Sequence, residues 1–164
     1  MQKPNIRQIQ PSDNADVAKL IRTVMPEFGC DGPGYAIHDA EVDQMFEAYN
    51  NESSVYFVLE SQGHILGGAG IAPLLNGAPD TCELKKMYFM PELRGQGLGQ
   101  ILLKRCLDEA KSRGFKKCYL ETVARMVQAR KLYERMGFNK LTGALGGTGH
   151  SSCDMWYLRE LWKV

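Results

Sequence analysis

The clearest chemical signal in the chain is the run Arg94-Gly95-Gln96-Gly97-Leu98-Gly99. A cation and three glycines stand here between an apolar stretch, Leu84 to Met90 closed by Pro91, and a helical pattern from Gly97 to Arg113. The first N–H groups of a helix have no partner within the helix, and they carry partial positive charge. Glycines at that point let an anion approach the backbone, so a strand, a glycine turn and a helix together predict a phosphate site.

Spacing decides which phosphate ligand. The dinucleotide fingerprint G-x-G-x-x-G fails, because Gln100 stands where its third glycine is required. The P-loop fails because no Gly-Lys pair occurs in the chain. The pattern [R/Q]-x-x-G-x-[G/A] fits as Arg94-x-x-Gly97-x-Gly99, and Ala129 to Phe138 reads A-R-K-L-Y-E-R-M-G-F. With these two blocks in this order, the sequence closely resembles the GNAT superfamily of acetyl-CoA-dependent N-acetyltransferases, over 53–138 well and at both ends in outline. The resemblance implies acetyl-CoA as co-substrate and direct transfer of its acetyl group to a primary amine. It places the coenzyme pyrophosphate on the turn Arg94, Gly95, Gln96, Gly97, Leu98, Gly99 and Gln100. The pantetheine arm would run along Met87, Tyr88 and Phe89, where the central strand is splayed from its neighbour, and past Ala129 and Tyr133. The sequence departs from the family at Met126, where many members carry an asparagine; a contact there must be apolar.

Acetyl transfer to an amine requires a base for the ammonium, a donor for the thioester carbonyl and a proton for the departing thiolate. Tyr133 is the general-acid candidate, because the resemblance points it at the sulfur. Met126, Ala129, Tyr133 and Met136 also recur on one helix face. Glu83 is the general-base candidate, since a desolvated glutamate can be raised toward neutrality; Glu121, on the neighbouring strand, is the reserve. The fold implied by the resemblance encloses the acceptor between 28–35 and 143–154, with Tyr35, His38, His150 and Asp154 as binding candidates. His150-x-x-Cys153-Asp154 is too few ligands to predict a metal. Cys153 as nucleophile is unnecessary where transfer is direct.

The elements that must position these groups follow from periodicity. Residues 5–10 form a first strand, and Val17, Leu20, Ile21 and Val24 lie at helical spacing in a helix ending before Pro26. Asp39 is a cap for a second helix bearing Val42, Met45, Phe46 and Tyr49. Residues 55–60 and 64–72 form a hairpin whose Gly67, Gly68 and Gly70 predict close packing or a bulge. Leu102, Leu103, Cys106, Leu107 and Ala110 face the core from the helix after the glycine turn, which Gly114 ends. Residues 117–123 form the next strand, reached by a right-handed crossover. After the second-motif helix comes a pair of strands around 143–152. The expected fold is α/β with a mixed, largely antiparallel sheet of about seven strands, in the order βααββββαβαββ.

Twenty Lys and Arg against nineteen Asp and Glu leave no charge excess for a nucleic-acid or anionic-membrane surface. No apolar run is long enough to span a bilayer. Five cysteines without C-x-x-C spacing, and an N-terminal stretch lacking an apolar signal core, predict reduced thiols in a cytoplasmic protein. The 164 residues predict one domain, 1–164. The expected partner is a small-molecule amine, with no nucleic acid and no membrane; the fold family is also compatible with a homodimer. The alternatives are a non-catalytic acyl-CoA sensing module and an acetyltransferase acting on protein or peptide amines.

Overall fold

The computed structural model describes residues 2–162. One sheet of seven strands runs in the order β1-β2-β3-β4-β5-β7-β6. The elements are β1 (Asn5–Gln8), α1 (Asn14–Glu27), α2 (Met45–Tyr49), β2 (Val55–Ser61), β3 (His64–Pro73), β4 (Thr81–Phe89), α3 (Leu98–Ser112), β5 (Lys117–Thr122), α4 (Val127–Arg135), β6 (Asn139–Leu141) and β7 (Met155–Glu160). Three strands, not the four of the expected order, separate α2 from α3, because β3 is one continuous strand and the turn 74–80 contributes none. Every pairing is antiparallel except β4 with β5.

Alternation along β2 divides the core in two. Val55, Phe57 and Leu59 join Leu102, Leu103, Cys106 and Leu107 of α3 on one face. Tyr56 and Val58 join Val17, Leu20, Ile21 and Val24 of α1 on the other. Period-two side chains on a sheet between period-3.6 helices produce this layering. Truncating a fully buried leucine such as Leu103 to alanine costs about 2–5 kcal/mol.

Two helices differ from expectation. Proline 26 lies inside the last turn of α1 instead of beyond it. Phe28, Gly29 and Cys30 then donate back to the carbonyls of Met25 and Pro26, closing the end that proline cannot extend. The second helix splits, because Gln44 (φ −137°, ψ 44°) breaks helical geometry between a 3-10 turn, Ala40–Asp43, and the short α2.

The hairpin glycines have the reason their pattern suggested. A Cβ at Gly68 would stand 2.6 Å from the Tyr56 hydroxyl, so that ring lies flat over β3. The same hydroxyl donates to the Lys86 carbonyl at 2.7 Å. Lys86 itself sits at φ 51°, where the β3–β4 register slips between Gly68 and Gly70. This bulge turns the end of β4 away from the regular sheet.

Candidate active site

The parallel strands β4 and β5 pair only at Thr81–Lys117, Cys82–Cys118 and Glu83–Tyr119. Beyond Glu83 the sheet forks: β4 continues to Phe89 toward the glycine turn, while β5 stays with β7. Two recesses open into the fork. They share Phe28, Met87, Tyr88, Met126 and Tyr133 as walls.

The larger recess is a groove of about 340 Å³ between the end of β4, the glycine turn and α4. Gly97 is the N-cap of α3 in left-handed geometry, φ 76°, and Gly95 shares it at φ 74°. A Cβ at either would meet nothing within 4 Å, so the backbone faces open space. A phosphate bridging this turn and the helix start fits that opening. Met87, Tyr88, Phe89, Arg94, Gly95, Gly97, Leu98, Gly99, Gln100, Met126, Ala129 and Tyr133 all line the groove. Gln96 does not; its amide donates to the Glu92 carbonyl at 2.6 Å. Arg94 lines the groove, yet its guanidinium is bonded to Phe89 O and Glu27 and packs on the Phe28 ring. The arginine of the motif thus braces the turn against α1. Gln128, Leu132 and Arg135 of α4 complete the wall; Leu132 is the leucine of the second motif, whereas Gln128 and Arg135 were not singled out by any fixed motif position.

The second recess is narrower, about 70 Å³, and Glu83, Glu121, Tyr35, His150 and Cys153 are among its lining. Parallel register places Glu83 beside Tyr119, and period two puts Glu121 on that same face. Glu83 is 5% exposed, and its carboxylate makes no hydrogen bond to another side chain or backbone group among the described residues. Burial pushes its carboxyl up to about 7, with the nearby Glu121 charge adding to the rise and Lys85 and His150 opposing it.

Glu121 differs at every point. Tyr119 donates to its Oε2 at 2.8 Å, and the Thr148 hydroxyl donates to Oε1. His150 Nδ1 faces Oε1 at 3.6 Å. Burial pushes this carboxyl up, but the bonds from His150, Thr148 and Tyr119 outweigh burial and leave it below the usual range. His150 turns Nε2 to both oxygens of Asp39 at 3.0 Å. Asp39 first and Glu121 second raise its imidazole to about 9. Asp39 resists its own burial through His150 and Lys86 and falls to about 2.

Beyond Asp39 the charges continue. Lys86 Nζ lies 2.7 Å from Asp39 and 3.5 Å from Glu41, and Lys85 Nζ lies 2.9 Å from Glu41. Two consecutive lysines in a largely buried strand are the sequence signal for this cluster, because lysine is almost never buried unless paired.

Of the acceptor candidates, Tyr35 and His150 reach the recess, whereas His38 and Asp154 do not line it. His38 is exposed and its ring bonds the Asp31 carbonyl. Asp154 accepts from the Ala124 N–H, tying the strand-end loops together. Arg125, another residue no pattern marked, braces two lining residues from behind by donating to the Phe28 carbonyl and the Tyr35 hydroxyl. Glu83, Glu121 and His150 each offer an atom within 4.8 Å of the others, a spacing that suits a cation. A protonated imidazole has no lone pair for a metal, so the donor set favours a hydrogen-bonding cation. Burial raises the Cys153 thiol to about 12, which makes it a poor nucleophile.

Residues 18–138 match the acetyltransferase (GNAT) family model, so the chain belongs to that family. Over 161 residues it is 42% identical to the uncharacterized N-acetyltransferase YjgM of Escherichia coli (strain K12), covering 98% of this chain and 96% of that protein. Over 100 residues it is 31% identical to the [ribosomal protein bS18]-alanine N-acetyltransferase of Escherichia coli (strain K12), covering 61% of this chain and 65% of that one. In shape it matches yncA of Salmonella typhimurium, solved with its cofactor acetyl-CoA, with a TM-score of 0.75 at 19% identity, covering 99% and 96% of the two chains. The protein is an acyltransferase of the N-acetyltransferase type. Among the described residues, no helix is long and apolar enough to cross a membrane.

Proposed function

We propose that the protein transfers an acetyl group directly from acetyl-CoA to the primary amine of a small molecule, with Glu83 as general base and Tyr133 as general acid. The observation that carries this reading is the fork. It joins an open glycine-capped groove to a recess holding an unbonded, buried carboxylate, with Tyr133 in the wall of both.

Acetyl-CoA supplies an acyl carbon activated as a thioester; the protein supplies position and proton traffic. Gly95, Gly97 and the first turn of α3 would hold the pyrophosphate, and Met87 to Phe89 the arm. Glu83, at about 7, is ionised for much of the time near neutrality and accepts a proton from the ammonium. The nitrogen bonds to the acyl carbon, and the C–S bond breaks with its electron pair leaving on sulfur. Of the three nitrogen protons, one goes to Glu83, one reaches the sulfur through Tyr133 and one stays on the amide. Burial holds the Tyr133 hydroxyl protonated, as a donor must be. Glu121, tied by three partners, remains an anion and is the weaker base candidate.

The likeness to a ribosomal-protein alanine acetyltransferase favours a peptide amine as the second reading; the narrowness of the recess speaks for a small acceptor. Thiol release from acetyl-CoA across small amines and peptides, against a no-amine blank, tests both. Release with small amines supports the proposal, whereas release with peptides alone overturns the acceptor assignment. A flat panel would remove the catalytic roles of Glu83 and Tyr133.

A further inference from the structure

The charged side chains around the acceptor recess form a single file of alternating sign. Lys85 meets Glu41, Glu41 meets Lys86, Lys86 meets Asp39, Asp39 meets His150, and His150 meets Glu121. Three cations thus face three anions, and the file ends on an anion. Glu83 stands beside that end, within 4.8 Å of the ligand atoms of both Glu121 and His150, and none of the described residues pairs with it.

We propose that the acceptor ammonium takes the next place in this file, between Glu121 and Glu83, and that the site therefore selects amines with one positive charge and an uncharged, apolar substituent. This rests on the assignment of the recess as the acceptor site.

A second ammonium on the substrate would find each remaining carboxylate already neutralised. A carboxylate on the substrate would find Lys85, Lys86 and His150 already paired. Arg125, which bonds the recess residue Tyr35, is also engaged by Phe28 O and Gly29 O. The rest of the recess is apolar or weakly polar: Met25, Phe28, Tyr35, Val123, Met126 and Cys153. Burying an uncompensated charge among these groups is costly, so the selection works by exclusion. It also favours release. Once the nitrogen is an amide and its proton rests on Glu83, neither the product nor Glu83 carries a charge to attract the other.

The test compares kcat/KM for isoamylamine and phenylethylamine with that for putrescine, leucine and a lysine peptide. Acetyl-CoA is saturating and the pH about 8, above the Glu83 value of about 7. The monoamines are expected to exceed putrescine and leucine by about tenfold or more, the order of one buried charge left unmatched. His150→Gln removes one cation from the file, so the putrescine-to-monoamine ratio should rise about tenfold. Loss of folding or of hydrogen bonding alone would lower both rates and leave the ratio where it was. A wild-type preference for leucine or putrescine, or a ratio unmoved in His150→Gln, overturns the proposal while leaving the acetyltransferase reading intact. Turnover of the lysine peptide alone would overturn the small-acceptor assignment as well. Zinc binding that displaces isoamylamine in calorimetry would reassign the gap to a metal and overturn the proposal. No turnover with any amine, although acetyl-CoA raises the melting temperature, overturns both readings together.

Discussion

The two halves of the site are built in opposite ways. The groove around the glycine turn is organised by backbone: positive-φ glycines, a helix start and the free end of one strand, all within 87–100, with α4 supplying the facing wall. The recess proposed for the acceptor is made of side chains from places far apart in the chain, and its His150 meets Asp39 at 3.0 Å across 111 residues. Backbone geometry written into a short segment suits a ligand that all members of a family share. Side chains gathered from separate loops suit the part that differs between members, since each can change without disturbing the sheet.

Substitutions can break this contrast. The largest effect is expected from Gly97→Glu, which combines backbone strain at φ 76° with an anion where pyrophosphate would sit. Acetyl-CoA should then no longer raise the melting temperature; Gly97→Ala, which carries the strain alone, should retain part of that rise. Next comes Glu83→Gln, with kcat/KM for the amine falling about 10²–10⁴-fold and acetyl-CoA affinity within about twofold of wild type. Equal loss in both would mean that the two halves are not separable. Tyr133→Phe should lower turnover about tenfold or more and leave acetyl-CoA binding intact; an unchanged rate removes Tyr133 from the mechanism.

The pH dependence sharpens the comparison. In wild type, kcat/KM for the amine should rise through about pH 7 and then level, as Glu83 loses its proton. Acetyl-CoA binding should show no step there. The His150 pairing has the reverse sign. Its raised value makes its stabilisation complete below the unfolded value of about 6.5 and lost as pH rises through about 9. The melting-temperature gap between wild type and His150→Gln should therefore close on the alkaline side. The smallest effect is expected from Arg94→Gln, at most about fivefold in acetyl-CoA affinity, because that guanidinium is already held by Glu27 and Phe89 O.

Much of the sheet was legible because its cause is local: β2 is rich in strand-forming residues and a Gln62-Gly63 turn joins it to β3, α3 repeats its leucines, and glycines stop the helices. The split of α2 at Gln44 and the inclusion of Pro26 in α1 were not, because tertiary contacts override propensity at helix ends. At the site, the glycine turn, Tyr133 and Glu83 could be read from motif and strand position. Their setting could not. His38 and Asp154 looked as eligible as His150 and Tyr35 until the chain path brought only the latter two to the recess, and Asp39, read from sequence only as a helix cap, proved to be the partner of His150.

By itself, the sequence determined the fold class, the glycine turn proposed to hold phosphate and the short set of candidate proton carriers. Those depend on periodicity and on backbone conformations that only certain residues adopt, both local properties. The tertiary structure alone decided which carboxylate is free and raised, which is bound and lowered, and which cations are already spent. Those depend on burial and on distances between residues remote in the chain, and no local pattern encodes them.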